Sequence, residues 1–331
     1  MNHFTQNLTK LLNTFNKPNI ILGLSGGLDS IVLLDLVCKY TQDHPEKNIT
    51  LIAVYINHQL QTRSDNWAEF NADVCKKYNL SYESYKVNVD KTSKLGLEGE
   101  ARLQRYNIFK KLLINSESVL ITAHHQNDQA ETVLLQLMRA AGPKGLSAMP
   151  AIKKLSQGWH IRPLLDTARA DLLAYAQASN LSWIEDTTNQ DNNYDRNFLR
   201  NIIIPELEQR WPLATESLAN SAKHCANHEN LLNNYIKADY LDCLSENKSQ
   251  RCIDITKFKL LDNLKQQVVL RYWFSECGLL APGPKKLTEI IKTVINAGPN
   301  AKPKYMVENK IITRHKKHLY VLDSSEVGEL S

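Results

Sequence analysis

Short apolar runs alternate with helical stretches through the first half of the chain. The segment 49–56 (I-T-L-I-A-V-Y-I) is nearly all apolar and rich in β-branched residues, as is typical of a strand buried in a parallel sheet. Four more strands are predicted from shorter apolar runs or from alternation, at residues 20–22, 80–89, 118–123 and 159–164. Because helical stretches separate them, the pattern predicts a doubly wound, mostly parallel α/β sheet over about residues 15–190.

The helices between these strands are predicted from apolar positions at helical spacing, at residues 31–40, 64–78, 98–113, 124–138 and 167–179. The pattern then turns mostly helical over 195–237. Further helices are predicted at 261–277 and at 284–296, and the stop signal Gly298-Pro299 follows the second of them. Alternation at 305–307 and 310–322 predicts a hairpin that turns at Glu308-Asn309. We therefore expect three parts, an α/β domain at 1–212, a helical linker at 213–245 and a small α+β domain at 246–331.

The composition is that of an ordinary globular protein, with 43% hydrophobic and 23% charged residues in 331. No apolar run is long enough to cross a bilayer, and residues 1–17 lack the apolar core of a signal peptide. We therefore expect a cytoplasmic protein that does not contact membranes. The six cysteines form no C-x-x-C pair, which disfavours a zinc knuckle or paired redox thiols.

Positive charge is concentrated near the C-terminus. Residues 285–318 contain nine lysine and arginine residues and two glutamates, although the whole chain has a net charge of only +5. Such a basic end on a near-neutral body is typical of a surface for a polyanion, and Lys316 and Lys317 are our candidates for contacting one. A solvated basic face would give the same charge pattern.

A glycine turn follows the first predicted strand and precedes a helix. Its residues are Ser25, Gly26, Gly27, Leu28, Asp29 and Ser30. A strand, a glycine turn and a helix start present backbone N–H groups to phosphate. The spacing is neither that of Walker A, whose lysine is missing, nor G-x-G-x-x-G. The loop resembles the pyrophosphate loop of the N-type ATP pyrophosphatases, which cleave ATP between its α- and β-phosphates; an ordinary turn rich in glycine and serine is the alternative.

Polar side chains follow two other predicted strands. Asn57 and His58 come after the second strand, at the edge where open α/β sheets place their ligands. His124 and His125 follow the fourth strand, and the spacing of His124, Asp128 and Glu131 predicts one face of a single helix. These three residues suit a divalent metal, a cationic substrate or proton transfer. Acidic residues that complement a helix dipole are the alternative, which does not explain the histidine pair.

Arginines precede and follow this helix. Arg102 and Arg105 lie on the preceding predicted helix, where they could bind phosphate, although spacing alone favours solvated surface arginines. Arg196 and Arg200 stand in a stretch rich in Asp and Asn, 183–200. That stretch could be a polar loop that caps a helix at Asp195, and it would also suit RNA contacts.

Six motifs occur in an order that resembles the tRNA(Ile)-lysidine synthase family over about residues 18–210. They are S-G-G-L-D-S, E-A-R-L-Q-R-Y, H-H-Q-N-D-Q-A-E-T, R-A-A-G-P-K-G-L, R-P-L-L and E-D-T-T-N…Y-D-R-N-F-L-R. The resemblance implies an adenine nucleotide alpha hydrolase-like fold, with a catalytic domain at 1–212 and a tRNA-binding domain at 246–331. It implies a ligase that adenylates the wobble cytidine of the CAU anticodon, releases pyrophosphate, and joins free L-lysine to C2 as AMP leaves.

The resemblance also implies residue roles. ATP would be held by residues 25–30 with Asn57, His58 and His124, and Mg²⁺ by Asp29. Catalysis would fall to Asp29, Arg105, His125, Asp128 and Glu131. RNA would contact Arg102, Arg139, Arg196, Arg200, Lys316 and Lys317. The chemistry agrees, because an attacking amine must be uncharged, and Asp128 and Glu131 could orient it and accept its proton.

The chain departs from the family pattern at Ala123 and at Ala140-Ala141, where glycine is usual. Longer family members carry an additional C-terminal domain, and we expect this chain to end after the first one. A tRNA thiolase, an amide ligase for small molecules and a non-catalytic RNA-binding protein are the alternatives. The oligomeric state stays open, with a homodimer as one option.

Overall fold

The computed structural model describes residues 3–60, 64–93, 96–245, 252–298, 301, 303–307 and 310–323. The chain divides into two compact units, residues 1–226 and 227–331. Within the described residues, no helix is long and apolar enough to cross a membrane.

The first unit contains a six-stranded sheet. Its strands are β1 Asn19–Gly23, β2 Thr50–Asn57, β3 Ser81–Lys86, β4 Ser118–Ile121, β5 Ile152–Leu155 and β6 Gly158–Ile161. The strands are ordered β3-β2-β1-β4-β6-β5, and all neighbours run parallel except β5 and β6. The doubly wound, mostly parallel sheet predicted from the sequence is therefore confirmed. Because β1, β2 and β4 are parallel neighbours, the residues that follow them lie at one edge.

The antiparallel strand β5 was not predicted. Its sequence, I-K-K-L, gives no apolar run, because this edge strand exposes its first three residues. It forms a hairpin with β6, which begins at Gly158. A Cβ atom at Gly158 would lie 2.3 Å from the carbonyl oxygen of Ser118, so only glycine allows this close approach to β4.

Helices surround the sheet of the first unit. They are α1 His3–Leu12, α2 Leu28–Asp43, α3 Ser64–Lys77, α4 Gly96–Leu112, α5 Gln126–Met138, α6 Pro143–Leu146, α7 Arg169–Ala178, α8 Asp195–Phe198 and α9 Ile204–Arg210. Helix α10, Ala214–Cys243, begins in the first unit and continues into the second. A π-helical turn, Leu199–Ile203, joins α8 to α9. Helix α1 was not predicted, yet its Leu8 and Leu12 are fully buried in the core. Helix α2 buries nearly all its apolar side chains, which fixes the helix that follows the glycine loop.

The second unit is a small α+β structure. Its elements are β7 Ile253–Asp254, α11 Ile255–Phe258, α12 Asn263–Glu276, α13 Pro284–Ile290, β8 Lys304–Val307, β9 Lys310–His315 and β10 His318–Asp323. The strands form an antiparallel sheet ordered β7-β10-β9-β8. Phe258, Trp273 and Phe274 are fully buried, so the unit has its own hydrophobic core.

The C-terminal hairpin differs from its prediction. The segment 310–322 was predicted as one strand, but it forms the two strands β9 and β10. They pair through a two-residue turn at Lys316 and Lys317, where Lys316 has a φ of 52°. The sequence does not indicate this turn, because neither residue is a glycine or an asparagine, which usually mark two-residue hairpin turns. The predicted turn at 308–309 and the predicted stop at Pro299 lie outside the described residues.

Candidate active site

The glycine loop is shaped by its own serines. Ser30 Oγ accepts hydrogen bonds from the backbone N–H groups of Ser25, at 3.2 Å, and Gly26, at 3.1 Å, and donates to the carbonyl of Gly27 at 2.9 Å. Gly27 is the N-cap of α2 and makes no side-chain cap, so the first N–H groups of this 16-residue helix face outwards without a capping side chain. The loop therefore offers a preformed site for an anion.

The position of Gly26 has no room for a side chain. Its φ is +87°, and a Cβ atom would lie 3.0 Å from Asn71 Oδ1 and 3.1 Å from Ile184 Cδ1. The backbone N–H of Ile184 also donates to the Gly26 carbonyl at 2.9 Å. The loop is thus clamped between α3 and the segment that follows α7, which restricts its conformation.

The polar residues after β2 have different surroundings. Asn57 is fully buried, and its amide donates to Asp65 at 2.8 Å while its Oδ1 accepts from the backbone of Gln59 at 2.9 Å. Asn57 therefore shapes the turn. His58 Nδ1 is buried and has no hydrogen-bond partner in the described part of the chain. Burial, aided by the charge of Arg105, lowers the pKa of His58 to about 4, so its imidazole is neutral at pH 7.

His125 joins the glycine loop to α5. Its Nε2 lies 3.5 Å from Asp29 Oδ2 and 3.6 Å from Asp128 Oδ2, and its backbone N–H donates to Asp128 at 3.0 Å. Burial disfavours the imidazolium, but the hydrogen bond to Asp29 and the two carboxylates raise the pKa of His125. Burial likewise opposes ionisation of Asp29, yet His125 lowers the pKa of that carboxyl. His125 therefore brings the glycine loop and helix α5 together.

Arg200 pairs with both carboxylates of α5. Its Nε donates to Glu131 Oε1 at 2.6 Å, and its Nη2 donates to Asp128 Oδ1 at 3.2 Å. Glu131 is fully buried, and this burial raises its pKa even though Arg200 opposes the shift. Glu131 Oε2 is buried without a hydrogen-bond partner among the described residues, and Arg196 Nη1 lies 4.0 Å from it. One oxygen of this buried carboxylate is therefore unsatisfied within the described part of the chain.

The other predicted arginines surround this centre. Arg196 lies 3.5 Å from Glu98, and Arg102 stacks on the Tyr106 ring at 5.0 Å. Burial lowers the pKa of Arg105, and no carboxylate of the described residues forms an ion pair with it. The positive charge of Arg105 is therefore not neutralised by an ion pair within the described part of the chain. Arg139 is exposed at the C-cap of α5.

The prediction that His124 shares one helix face with Asp128 and Glu131 is wrong for His124. Helix α5 begins at Gln126 after an extended N-cap, His125, so His124 lies outside the helix. His124 instead contacts Thr122, whose hydroxyl lies 2.7 Å from its Nδ1 and 2.8 Å from His160 Nε2. Burial, followed by the charge of Arg162, places the pKa of His124 well below its ordinary value. Sequence reasoning missed Thr122, His160 and Arg162, although Arg162 opens the R-P-L-L motif.

Two family models match the chain. A PP-loop domain model covers residues 1–207, and a TilS substrate binding domain model covers residues 253–320. Among solved structures, the U34-tRNA thiolase NcsA from Methanococcus maripaludis with its [4Fe-4S] cluster is similar in fold, with a TM-score of 0.56 and 19% identity over 68% of this chain and 78% of that one. The chain is therefore a PP-loop protein, a class of ATP-binding domains.

Relatives at higher identity define the family within that class. The tRNA(Ile)-lysidine synthase of Haemophilus ducreyi is 40% identical over 324 residues, which are 97% of this chain and 72% of the relative. That of Haemophilus influenzae is 38% identical over 316 residues, again covering 72% of the relative. The chain belongs to the tRNA(Ile)-lysidine synthase family, and the resemblance inferred from its motifs is confirmed.

Proposed function

We propose that this protein is an ATP-dependent ligase that joins lysine to C2 of the wobble cytidine in the CAU anticodon of tRNA(Ile). The observation that carries the proposal is the position of His125, within 3.6 Å of both Asp29 and Asp128. Through this residue a phosphate-binding loop and two carboxylates suited to an amine become one site. The names of the relatives and the PP-loop match support the same activity.

In the first step, the C2 oxygen of the cytidine attacks the α-phosphorus of ATP, and pyrophosphate leaves. The N-terminus of α2 binds the phosphates through its uncapped backbone N–H groups, while the Ser25 and Gly26 N–H groups, which donate to Ser30, keep the loop in shape. Asp29 suits the role of a Mg²⁺ ligand, because its Oδ1 is buried without a hydrogen-bond partner among the described residues. When bound, the ion would offset phosphate charge. Arg105 would place a second positive charge on the phosphates.

In the second step, the ε-amine of lysine attacks C2. The new N–C2 bond forms, the C2–O bond breaks, and AMP leaves with that oxygen. The amine must give up a proton, and Glu131 suits the role of base because burial raises its pKa. Asp128 orients the amine as its charge partner. Arg200, now bound to both carboxylates, must yield part of this contact as lysine enters.

We further propose that RNA contacts Arg102, Arg139, Arg196 and Arg200 near the site, and Lys316 and Lys317 in the second unit. Both lysines are exposed in the turn between β9 and β10. A cytosine in an anticodon loop is already single-stranded, so its entry into a site is cheap. In this proposal residues 1–212 are the catalytic domain, 213–245 the linker and 246–331 the tRNA-binding domain. A cytoplasmic location and the homodimer option remain predictions from the sequence.

The activity is tested by nucleoside mass spectrometry. The full chain is incubated with ATP, isotope-labelled lysine and tRNA(Ile) carrying the CAU anticodon. We expect lysidine that contains the label, and one AMP and one pyrophosphate for each lysidine formed. A tRNA(Ile) with uridine at the wobble position is the matched control and should give neither product. Thiolated nucleoside, or label in a small molecule rather than in tRNA, would contradict the proposal.

A further inference from the structure

Four side chains to which our reaction scheme assigns no role form a continuous line of hydrogen bonds. Arg162 Nη2 lies 3.0 Å from His160 Nδ1, His160 Nε2 lies 2.8 Å from Thr122 Oγ1, and Thr122 Oγ1 lies 2.7 Å from His124 Nδ1. Arg162 is buried and fixed at its other end, because its Nη1 donates to the carbonyl of Pro150 at 2.7 Å. The line runs from β6 to the end of β4.

The direction of each bond follows from what these groups can donate. Arginine has no acceptor, so Arg162 must donate to His160 Nδ1, and the proton of a neutral His160 must be on Nε2. His160 therefore donates to the Thr122 oxygen. The Thr122 hydroxyl has one hydrogen, and His124 Nδ1 is the remaining acceptor recorded for it among the described residues. Thr122 then donates to His124, whose own proton must be on Nε2.

The opposite arrangement leaves a hydrogen without an acceptor. If His124 Nδ1 carried the proton, both imidazoles would donate to the Thr122 oxygen. The hydroxyl hydrogen of this half-buried residue would then have no acceptor in the described part of the chain, at a cost comparable to a lost hydrogen bond. In the first arrangement each of the three hydrogen bonds has one donor and one acceptor, while His124 Nε2–H and the buried Arg162 Nε are left without a partner among the described residues.

We propose that Arg162, His160 and Thr122 are positioning residues that hold His124 as a neutral imidazole with its proton on Nε2. Burial and the nearby arginines support the uncharged state, since they lower the pKa of His160 to about 2 and that of His124 well below its ordinary value. His124 Nε2–H has no partner among the described residues and lies after β4, beside the strand that precedes the glycine loop. It thus presents a hydrogen-bond donor to a negatively charged oxygen at this edge, on the phosphates or on C2.

The tautomer can be measured directly. In full-length protein with ¹⁵N-labelled histidine, long-range ¹H–¹⁵N correlation spectra distinguish a protonated ring nitrogen from an unprotonated one, and a His124→Gln variant assigns the signals. We expect protonated Nε2 and unprotonated Nδ1 at pH 7.5. Thr122→Val keeps the side-chain shape but removes the hydroxyl, so the two tautomers should mix. Thr122→Ser should restore the wild-type spectrum.

Kinetics provide the second measurement, which rests on the proposed function. With tRNA(Ile), we expect Thr122→Val to lower kcat/KM for ATP about ten- to hundredfold, the effect of one hydrogen bond to a charged group, and Thr122→Ser to recover most of it. Thr41→Val is the matched control, because the one hydrogen bond of the Thr41 hydroxyl among the described residues is to its own helix, at Cys38 O.

The two measurements separate two kinds of failure. A protonated Nδ1 or a charged His124 in the wild-type spectrum would overturn the proposed tautomer, whatever the enzyme does. Mixed tautomers with unchanged kcat/KM in Thr122→Val would overturn the positioning role. A wild-type protein without activity on tRNA would refute the proposed function, while the spectra would still decide the tautomer.

Discussion

Replacing Arg200 with methionine should destabilise the protein, and the loss should grow with pH. Arg200 makes two charge-assisted hydrogen bonds, at 2.6 Å to Glu131 and 3.2 Å to Asp128. Such bonds contribute about 1.5–3 kcal/mol each. The Arg200 side chain is 35% exposed, and Arg196 lies 4.0 Å from Glu131. Solvent and Arg196 therefore compensate part of the interaction energy that the carboxylates lose with Arg200. We expect Arg200→Met to cost about 2–3 kcal/mol at pH 8.

The pH dependence comes from Glu131. Burial already raises its folded-state pKa, despite Arg200, so the folded state binds this proton more tightly than the unfolded state does. Its contribution to stability is therefore fully present below the unfolded pKa and is lost as pH rises through the folded pKa. Removing Arg200 raises the folded-state pKa of Glu131 further, so the loss of folding stability at pH values above that pKa increases. The variant should thus lose less stability at pH 5 than at pH 8.

Denaturant unfolding at both pH values, followed by tryptophan fluorescence, would test this prediction, since four of the five tryptophans (67, 159, 183 and 211) lie in the first unit. Arg200→Lys keeps the charge without the forked geometry and should give an intermediate loss. Arg210→Met, at an exposed site on α9, is the matched control and should change stability by less than about 0.5 kcal/mol. An equal loss at pH 5 and pH 8 would refute the assignment to Glu131.

Three further predictions concern activity and binding. Asp128→Asn should lower lysine incorporation into tRNA at least about a hundredfold, and a wild-type rate would contradict its role. Gly26→Ala should reduce the thermal stabilisation that ATP gives, because the residue has a φ of +87°, whereas Gly283→Ala, with open space around it, should not. Reversing the charges of Lys316 and Lys317 should flatten the dependence of tRNA affinity on salt, and an unchanged slope would exclude both lysines from the interface.

The sequence predicted the elements whose signals are local. The buried strand β2 and the glycine turn after β1 are visible because continuous apolar runs and turn residues determine them directly. The edge strand β5 and the turn at Lys316 were missed, since three of four β5 residues face solvent and the turn uses a lysine in the left-handed region. These features depend on neighbouring strands rather than on their own composition.

Sequence reasoning named several residues that the structure brings together, but it did not predict how they contact one another. Asp29, His125 and Asp128 were all candidates, but that one imidazole links the glycine loop to α5 depends on two strands being neighbours. Arg200 was a candidate for RNA, but its hydrogen bonds to two carboxylates that precede it by about 70 residues were not predicted. Contacts at such separations leave no periodicity in the sequence, so residue type alone could not reveal them.

The adjacent histidines illustrate how backbone geometry separates chemical roles. His125 is extended, with φ −128° and ψ −177°, and successive side chains of an extended backbone point to opposite sides. His124 therefore meets the Thr122 hydroxyl on one side, while His125 meets Asp29 and Asp128 on the other. The first environment lowers the imidazole pKa and the second raises it. Two identical side chains at one edge of the sheet are thus placed in opposite environments, one that favours the neutral imidazole and one that favours the imidazolium.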